Sequence, residues 1–148
     1  MPNEQSYITE KVKEYRQLLP MEKYDHPGVY RIMVNGEIVY VGKARNMADR
    51  IANHMYLIKE GVHTTEGTKF KYRELKHAMD NGYYISFDVL YTSSIVYTED
   101  TRQEVDDDIG PKEAYFINYF MPKLNKQIPD LNDYHKYKNK NYESLNIA

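Results

Sequence analysis

Apolar and polar positions along this chain follow two periods, and the switches between them outline its elements. Tyr7, Ile8, Val12, Tyr15, Leu18 and Leu19 recur at helical spacing, which predicts a helix over 4–19 stopped by Pro20. Asp25-His26-Pro27-Gly28 reads as a turn. Val29 to Val41 reads as a β-hairpin about Asn35-Gly36. A two-residue Asn-Gly loop would pair Tyr30 with Val41 and put Tyr30 and Tyr40 on opposite faces. A three-residue loop, Val34-Asn35-Gly36, with Gly36 left-handed, would pair Tyr30 with Tyr40 on one face. Asn46 suits an N-cap with Asp49 at N3, opening a helix that runs to about Lys59 and ends at Gly61. Met47, Ile51, Met55 and Ile58 form its buried stripe, and Arg50 and His54 share another face. A further helix is expected over about Lys69 to Asn81, anchored by Phe70, Leu75 and Met79 and stopped by Gly82. Tyr83, Ile85, Phe87, Val89 and Tyr91 alternate, predicting a third strand with all five on one face. Thr92 to Gly110 reads as an acidic connection with room for a turn of helix. Pro111 suits the first position of a last helix, with Glu113 near its start and Phe116, Ile117 and Phe120 toward the core. Pro122 ends it, and from Asp130 the chain reads as an arm.

That order implies an α+β domain, a three-stranded antiparallel sheet flanked by helices. The 148 residues suit one domain with extensions. The absence of cysteine excludes disulfides, thiolate zinc sites and thiol catalysis, and fits a reducing, cytoplasmic setting. No run is long enough for a transmembrane helix, and residues 1–10 lack signal-peptide features. Sixteen tyrosines against four phenylalanines suit either packing or base stacking. The net charge of −2 is patterned: +3 over 26–82, −5 over 98–113 and +3 over 114–140. An acidic stretch between basic ones suits a carboxylate site facing phosphate, although alone it reads as a solvated loop.

Taken singly, the polar candidates have ordinary readings. Glu113 could be a helix-dipole contact, Arg50 and His54 an exposed face, Tyr30 and Tyr40 packing residues, Lys43 solvated, and Asn125 a turn former. Their order carries more. Gly28-Val29-Tyr30 opens the hairpin and Tyr40-Val41-Gly42 closes it, the tyrosines ten positions apart. Lys43-Ala44-Arg45-Asn46 follows, then Arg50 and His54, then Glu113, with Asn125 twelve positions beyond. This spacing resembles the GIY-YIG nuclease family over about 26–126. Pro27 to Arg50 is especially similar to the N-terminal nuclease module of the bacterial excision-repair incision subunit.

The resemblance implies a Mg²⁺-dependent DNA endonuclease, with Mn²⁺ a permissible substitute, that hydrolyses one strand per active site. Double-stranded DNA is the expected partner, and two-strand cutting would take a homo-oligomer or sequential nicks. Glu113 would hold the metal, whose hydrated shell needs few protein ligands. Arg50 would fork onto the scissile phosphate. Tyr30 and Tyr40 would line the site, either one as general base, Tyr30 being favoured where Lys43 lowers its pKa. A shared site calls for Tyr30 opposite Tyr40, so the three-residue turn with Gly36 at positive φ is expected. His54 would orient water or contact phosphate, Asn125 would buttress the site, Lys43 would contact phosphate, and Arg45 would bind backbone. The interval from Arg50 to Glu113 is longer than in the compact repair module, the excess lying in an insertion at about 61–82. Lys69, Lys71, Arg73 and Lys76 there are expected to meet DNA, or else to form the solvated face of a packing helix. Residues 1–25 would form a helical extension and 127–148 a basic, tyrosine-rich arm. The short chain suggests a phage, mobile-element or restriction enzyme. The alternatives are a structure-selective repair or junction nuclease, a catalytically silent DNA-binding module, and a protein-interaction domain.

Overall fold

The computed structural model describes residues 4–60 and 66–125, so the arm expected over 127–148 lies outside the described residues. The order is α1 (Glu4–Gln17), α2 (Met21–Tyr24), β1 (Gly28–Val34), β2 (Glu37–Ala44), α3 (Met47–Glu60), α4 (Glu66–Asp80), β3 (Ile85–Thr92) and α5 (Arg102–Phe120). The sheet is antiparallel, ordered β2-β1-β3, which leaves β2 on an edge. The architecture is α+β, as the sequence implies. One face of the sheet carries Tyr30, Ile32, Phe87 and Val89 against α3 and α4. The other carries Val29, Val41, Leu90 and Tyr91 against α5. α1 lies on α3 with no fully buried residue, and Leu18, expected on its apolar face, is exposed just past its end. Among the described residues no helix is long and apolar enough to cross a membrane.

The hairpin resolves the turn differently from expectation. Val34 pairs with Glu37, so the loop is the two-residue Asn35-Gly36, with φ of 52° and 83°. That is the left-handed pair of a type I′ turn, which matches strand twist. Gly36 has the positive φ expected, but Tyr30 pairs with Gly42, not with Tyr40. The register slips between Ile32 and Met33, which pair with Tyr40 and Ile38 and leave Val39 as an extra residue. This bulge shifts the alternation by one. Tyr30 and Tyr40 therefore share a face after all, through a bulge rather than a longer turn. A second slip, between Val29 and Tyr30 along β3, pairs them with Tyr91 and Val89. It sends Tyr91 to the α5 side, so the five-residue stripe expected from Tyr83 to Tyr91 is broken, and Tyr83 lies exposed before the strand.

α3 begins as expected: the Asp49 N–H donates to Asn46 Oδ1 at 3.0 Å. α5 does not. It starts at Arg102, and Pro111 lies inside it, costing the hydrogen bond its missing N–H would make. Two acids of the run that reads as a loop are paired within the fold. Asp106 takes both Arg45 nitrogens, at 3.0 and 2.7 Å, and Asp108 accepts from Lys112 and Tyr91 at 2.7 and 2.8 Å. Val105 and Ile109, four apart, bury against the sheet with Phe116. Glu113 consequently sits in the middle of a helix, away from the dipole end where the sequence places it. Met121, with φ of 47°, closes α5 by donating its N–H to Ile117 O.

Candidate active site

The bulge in β2 sets Tyr40 beside Tyr30, ring centroids 6.4 Å apart, and Gly42 lies directly beneath them. A Cβ built on Gly42 would stand 2.5 Å from the Tyr30 hydroxyl and 2.9 Å from Tyr40 Cε1. Glycine is required there by the close approach of the two rings. Gly28 is required likewise, since a Cβ would strike the Tyr91 carbonyl and the Met47 side chain.

Tyr30 is wholly buried and its hydroxyl is hydrogen-bonded to Nε2 of His54 at 2.5 Å. The other ring nitrogen, Nδ1, meets the Tyr72 hydroxyl at 2.6 Å. Burial pushes the Tyr30 phenol well above its ordinary pKa, Tyr40 adds to this, and Arg50 opposes it. The cation acting on Tyr30 is thus Arg50 and not Lys43, which follows Gly42 in the strand and reaches toward Gly110 of α5 on the opposite face. Tyr40 is half-buried. Burial and Glu113 raise its pKa, while Arg50 and the neighbouring Tyr30 hydroxyl lower it. Burial, then Lys71 and Arg50, hold His54 well below the usual imidazole range, so it is neutral.

Glu113 comes from the far side of the sheet. Because β2 is an edge strand, the carboxylate reaches its rim beside the Lys43 backbone. Burial raises the Glu113 pKa, against the Lys43 and Arg50 charges. Asn125 acts on the same rim. Val41 N–H donates to its Oδ1 at 3.0 Å and its Nδ2 donates to Val41 O at 2.8 Å. Leu124 N–H donates to Val39 O at 2.9 Å. Beside this rim opens a groove of about 1030 Å³ lined by Lys43, Arg45, Asn46, Arg50, Asn53, Ser93 and Tyr97, among others. Lys43 and Arg50 are exposed and belong to both groove and rim.

Among the described residues no three His, Asp or Glu side chains gather as a metal cage. A half-buried carboxylate fits a hydrated divalent ion, which keeps most of its water.

The other basic candidates are placed less freely than expected. Arg45 is tied to Asp106 in the groove wall, with its guanidinium 5.8 Å from the Tyr97 ring centroid. Lys76 lies 3.4 Å from Asp80. Arg73 is exposed, and Lys69 belongs to α4 but its side chain is outside the described residues. Lys71 turns inward: its Nζ lies 4.2 Å from the Tyr40 ring centroid and 4.8 Å from that of Tyr72. Burial and Arg50 lower its pKa to about 8. Tyr72 is the residue sequence reasoning missed. It shares a helical face with the buried Leu75 and half-buried Met79, whereas Phe70, expected as an anchor, is 43% exposed. The 72/75/79 spacing was the available signal.

No family model and no curated protein matches the chain. Among solved structures, it is similar to a mutant of bacteriophage T4 EndoII, at TM-score 0.44 and 22% identity, covering 72% of this chain and 77% of that one. It is also similar to two point mutants of the GIY-YIG N-terminal endonuclease domain of UvrC from Thermotoga maritima, bound to the catalytic divalent cation. Their TM-scores are 0.42 and 0.41 at 18% and 20% identity, covering 85% of this chain and all of theirs.

Proposed function

We propose that the chain is a divalent-cation-dependent DNA endonuclease of the GIY-YIG kind, hydrolysing one strand per active site, of phage, mobile-element or restriction type. The observation that carries this reading is the convergence of Tyr40, Arg50, Lys43 and Glu113 at the β2 rim, with Tyr30 and His54 hydrogen-bonded beneath it. These residues come from four elements and both faces of the sheet, and a packing role alone does not require them to meet.

Tyr40 is the general base in this reading. It is the more open of the two phenols, and a hydrogen bond from Tyr30 and the Arg50 charge would favour its phenolate against burial and Glu113. It takes the proton from a water whose oxygen bonds to phosphorus as the bond to the 3′ oxygen breaks. Arg50, exposed beside the groove, pairs with the non-bridging phosphate oxygens and offsets their growing charge. Lys43 neutralises the neighbouring phosphate. A divalent ion held by Glu113, Mg²⁺ or Mn²⁺, supplies Lewis acidity for the departing oxygen when bound. Double-stranded DNA would lie along the groove, and two-strand cutting would take two copies of the chain or two successive nicks.

Supercoiled plasmid incubated with the wild type and with Glu113→Ala, each with Mg²⁺ and with EDTA, tests the reading. Relaxation or linearisation only by the wild type with Mg²⁺ is expected. A gel shift without cutting by either protein would replace it with a DNA-binding module.

A further inference from the structure

Two hydrogen bonds run in series beneath Tyr40: Tyr30 to His54 Nε2 at 2.5 Å, and His54 Nδ1 to Tyr72 at 2.6 Å. The Tyr40 ring lies beside Tyr30, centroids 6.4 Å apart. A neutral imidazole has one N–H and one lone pair. It therefore donates at one nitrogen and accepts at the other, and the two bonds together have only two directions. In one, Tyr30 donates to Nε2, and Nδ1–H donates to Tyr72. In the other, the Tyr72 hydroxyl donates to Nδ1, Nε2–H donates to the Tyr30 oxygen, and the Tyr30 proton is left to turn toward the Tyr40 oxygen. Only the second presents a donor to Tyr40 once its proton has gone.

We infer that Tyr72 of α4 is a positioning residue: its hydroxyl donates to His54 Nδ1, fixes the imidazole with its proton on Nε2, and so turns the Tyr30 hydroxyl toward Tyr40. The inference rests on the reading of Tyr40 as general base. The surroundings favour it. Tyr72 and His54 are 3% and 2% exposed, so no bulk water competes for either bond. His54 stays neutral because burial and two cations, Lys71 and Arg50, oppose a second proton, so it relays direction without becoming a proton store. The Lys71 side chain covers the Tyr40 and Tyr72 rings together, clamping the two rings in one place. Residues 66–80, an insertion by spacing, thereby furnish a wall of the site.

The test is Tyr72→Phe, which keeps the buried ring and deletes the oxygen. Imidazole ¹⁵N spectra of the full-length protein report the His54 tautomer, assigned with His54→Gln. The wild type should show a protonated Nε2 and a bare Nδ1, and Tyr72→Phe should lose that single tautomer. A wild-type proton on Nδ1, or an unchanged spectrum in the variant, overturns the inference. In steady-state plasmid cleavage, Tyr72→Phe should lower kcat about tenfold or more, within the range for general-base participation, with KM unchanged. A kcat within about twofold of wild type also overturns it. If the wild type cuts nothing, the nuclease reading fails, and the spectra still decide the direction of the hydrogen bonds.

Discussion

Gly42→Ala places a methyl group where the structure has the face of Tyr30. The new carbon would lie 2.5 Å from the hydroxyl, 2.7 Å from Cζ and 2.9 Å from Tyr40 Cε1. Ordinary contact begins near 3.4 Å, so the Tyr30 hydroxyl must retreat by about 0.9 Å, the difference between that limit and 2.5 Å. It has nowhere to go without stretching its 2.5 Å bond to His54, because the ring is 1% exposed. Overpacking of a filled core costs about 1–3 kcal/mol. For a domain of this size each kcal/mol moves the melting temperature by about 4 °C, so a fall of about 4–12 °C is expected. A misplacement of this size in an active site can also cost about 10²-fold in rate. Gly36→Ala is the matched control. Its φ is +83° but nothing stands within 4 Å, so it should lose about 1 kcal/mol from backbone strain and keep its cleavage rate. Thermal unfolding and single-turnover cleavage of both variants check the contrast. A Gly42→Ala protein that melts and cuts like the wild type would refute the placement of the two tyrosines.

Asn125→Ala removes both hydrogen bonds to the Val41 backbone and should cost about 1–3 kcal/mol by chemical denaturation, with cleavage reduced. Glu113→Gln should abolish cation-dependent cleavage yet raise the melting temperature of the metal-free protein at neutral pH. Burial raises the carboxyl pKa, so the ionised form present at that pH opposes folding. Lys71, with a pKa of about 8 folded against 10.5 ordinarily, binds fewer protons in the folded state between those values. Stability should therefore rise as pH increases from about 8 to 10.5, and Lys71→Met should flatten that rise. Arg45→Ala should change stability by no more than about 1 kcal/mol, because its pair with Asp106 is partly exposed, while weakening DNA binding measured against salt.

Element types were legible where periodicity was local: the α3 stripe, its Asn46 cap and the strand before Thr92 all follow from spacing. What was hidden depends on neighbours far along the chain. The Val39 and Leu90 bulges leave no mark in composition, yet each flips every residue beyond it. The first put the two tyrosines back on one face, and the second broke the stripe through Tyr91. The N-terminal half of α5 was obscured because Asp106, Asp107 and Asp108 look like a loop until Arg45 and Lys112 are seen beside two of them. Among the candidate residues, the motif positions converge, whereas two of the four insertion cations serve other contacts: Lys71 on aromatic rings and Lys76 beside Asp80.

The outer border of β2 also bears on self-association. An edge strand is a template that another chain can extend. Here two positions along that border are already engaged, Val39 by the Leu124 amide and Val41 by both arms of the Asn125 side chain, and the Glu113 carboxylate stands beside the Lys43 backbone. An asparagine amide has the donor and acceptor of a peptide group, so Asn125 stands in for one residue of a missing fourth strand without offering a next position. The arrangement ends the sheet at β2 and protects that edge against β-aggregation. Asn125→Ala should therefore shorten the time to visible aggregation on storage, separately from any loss of cutting.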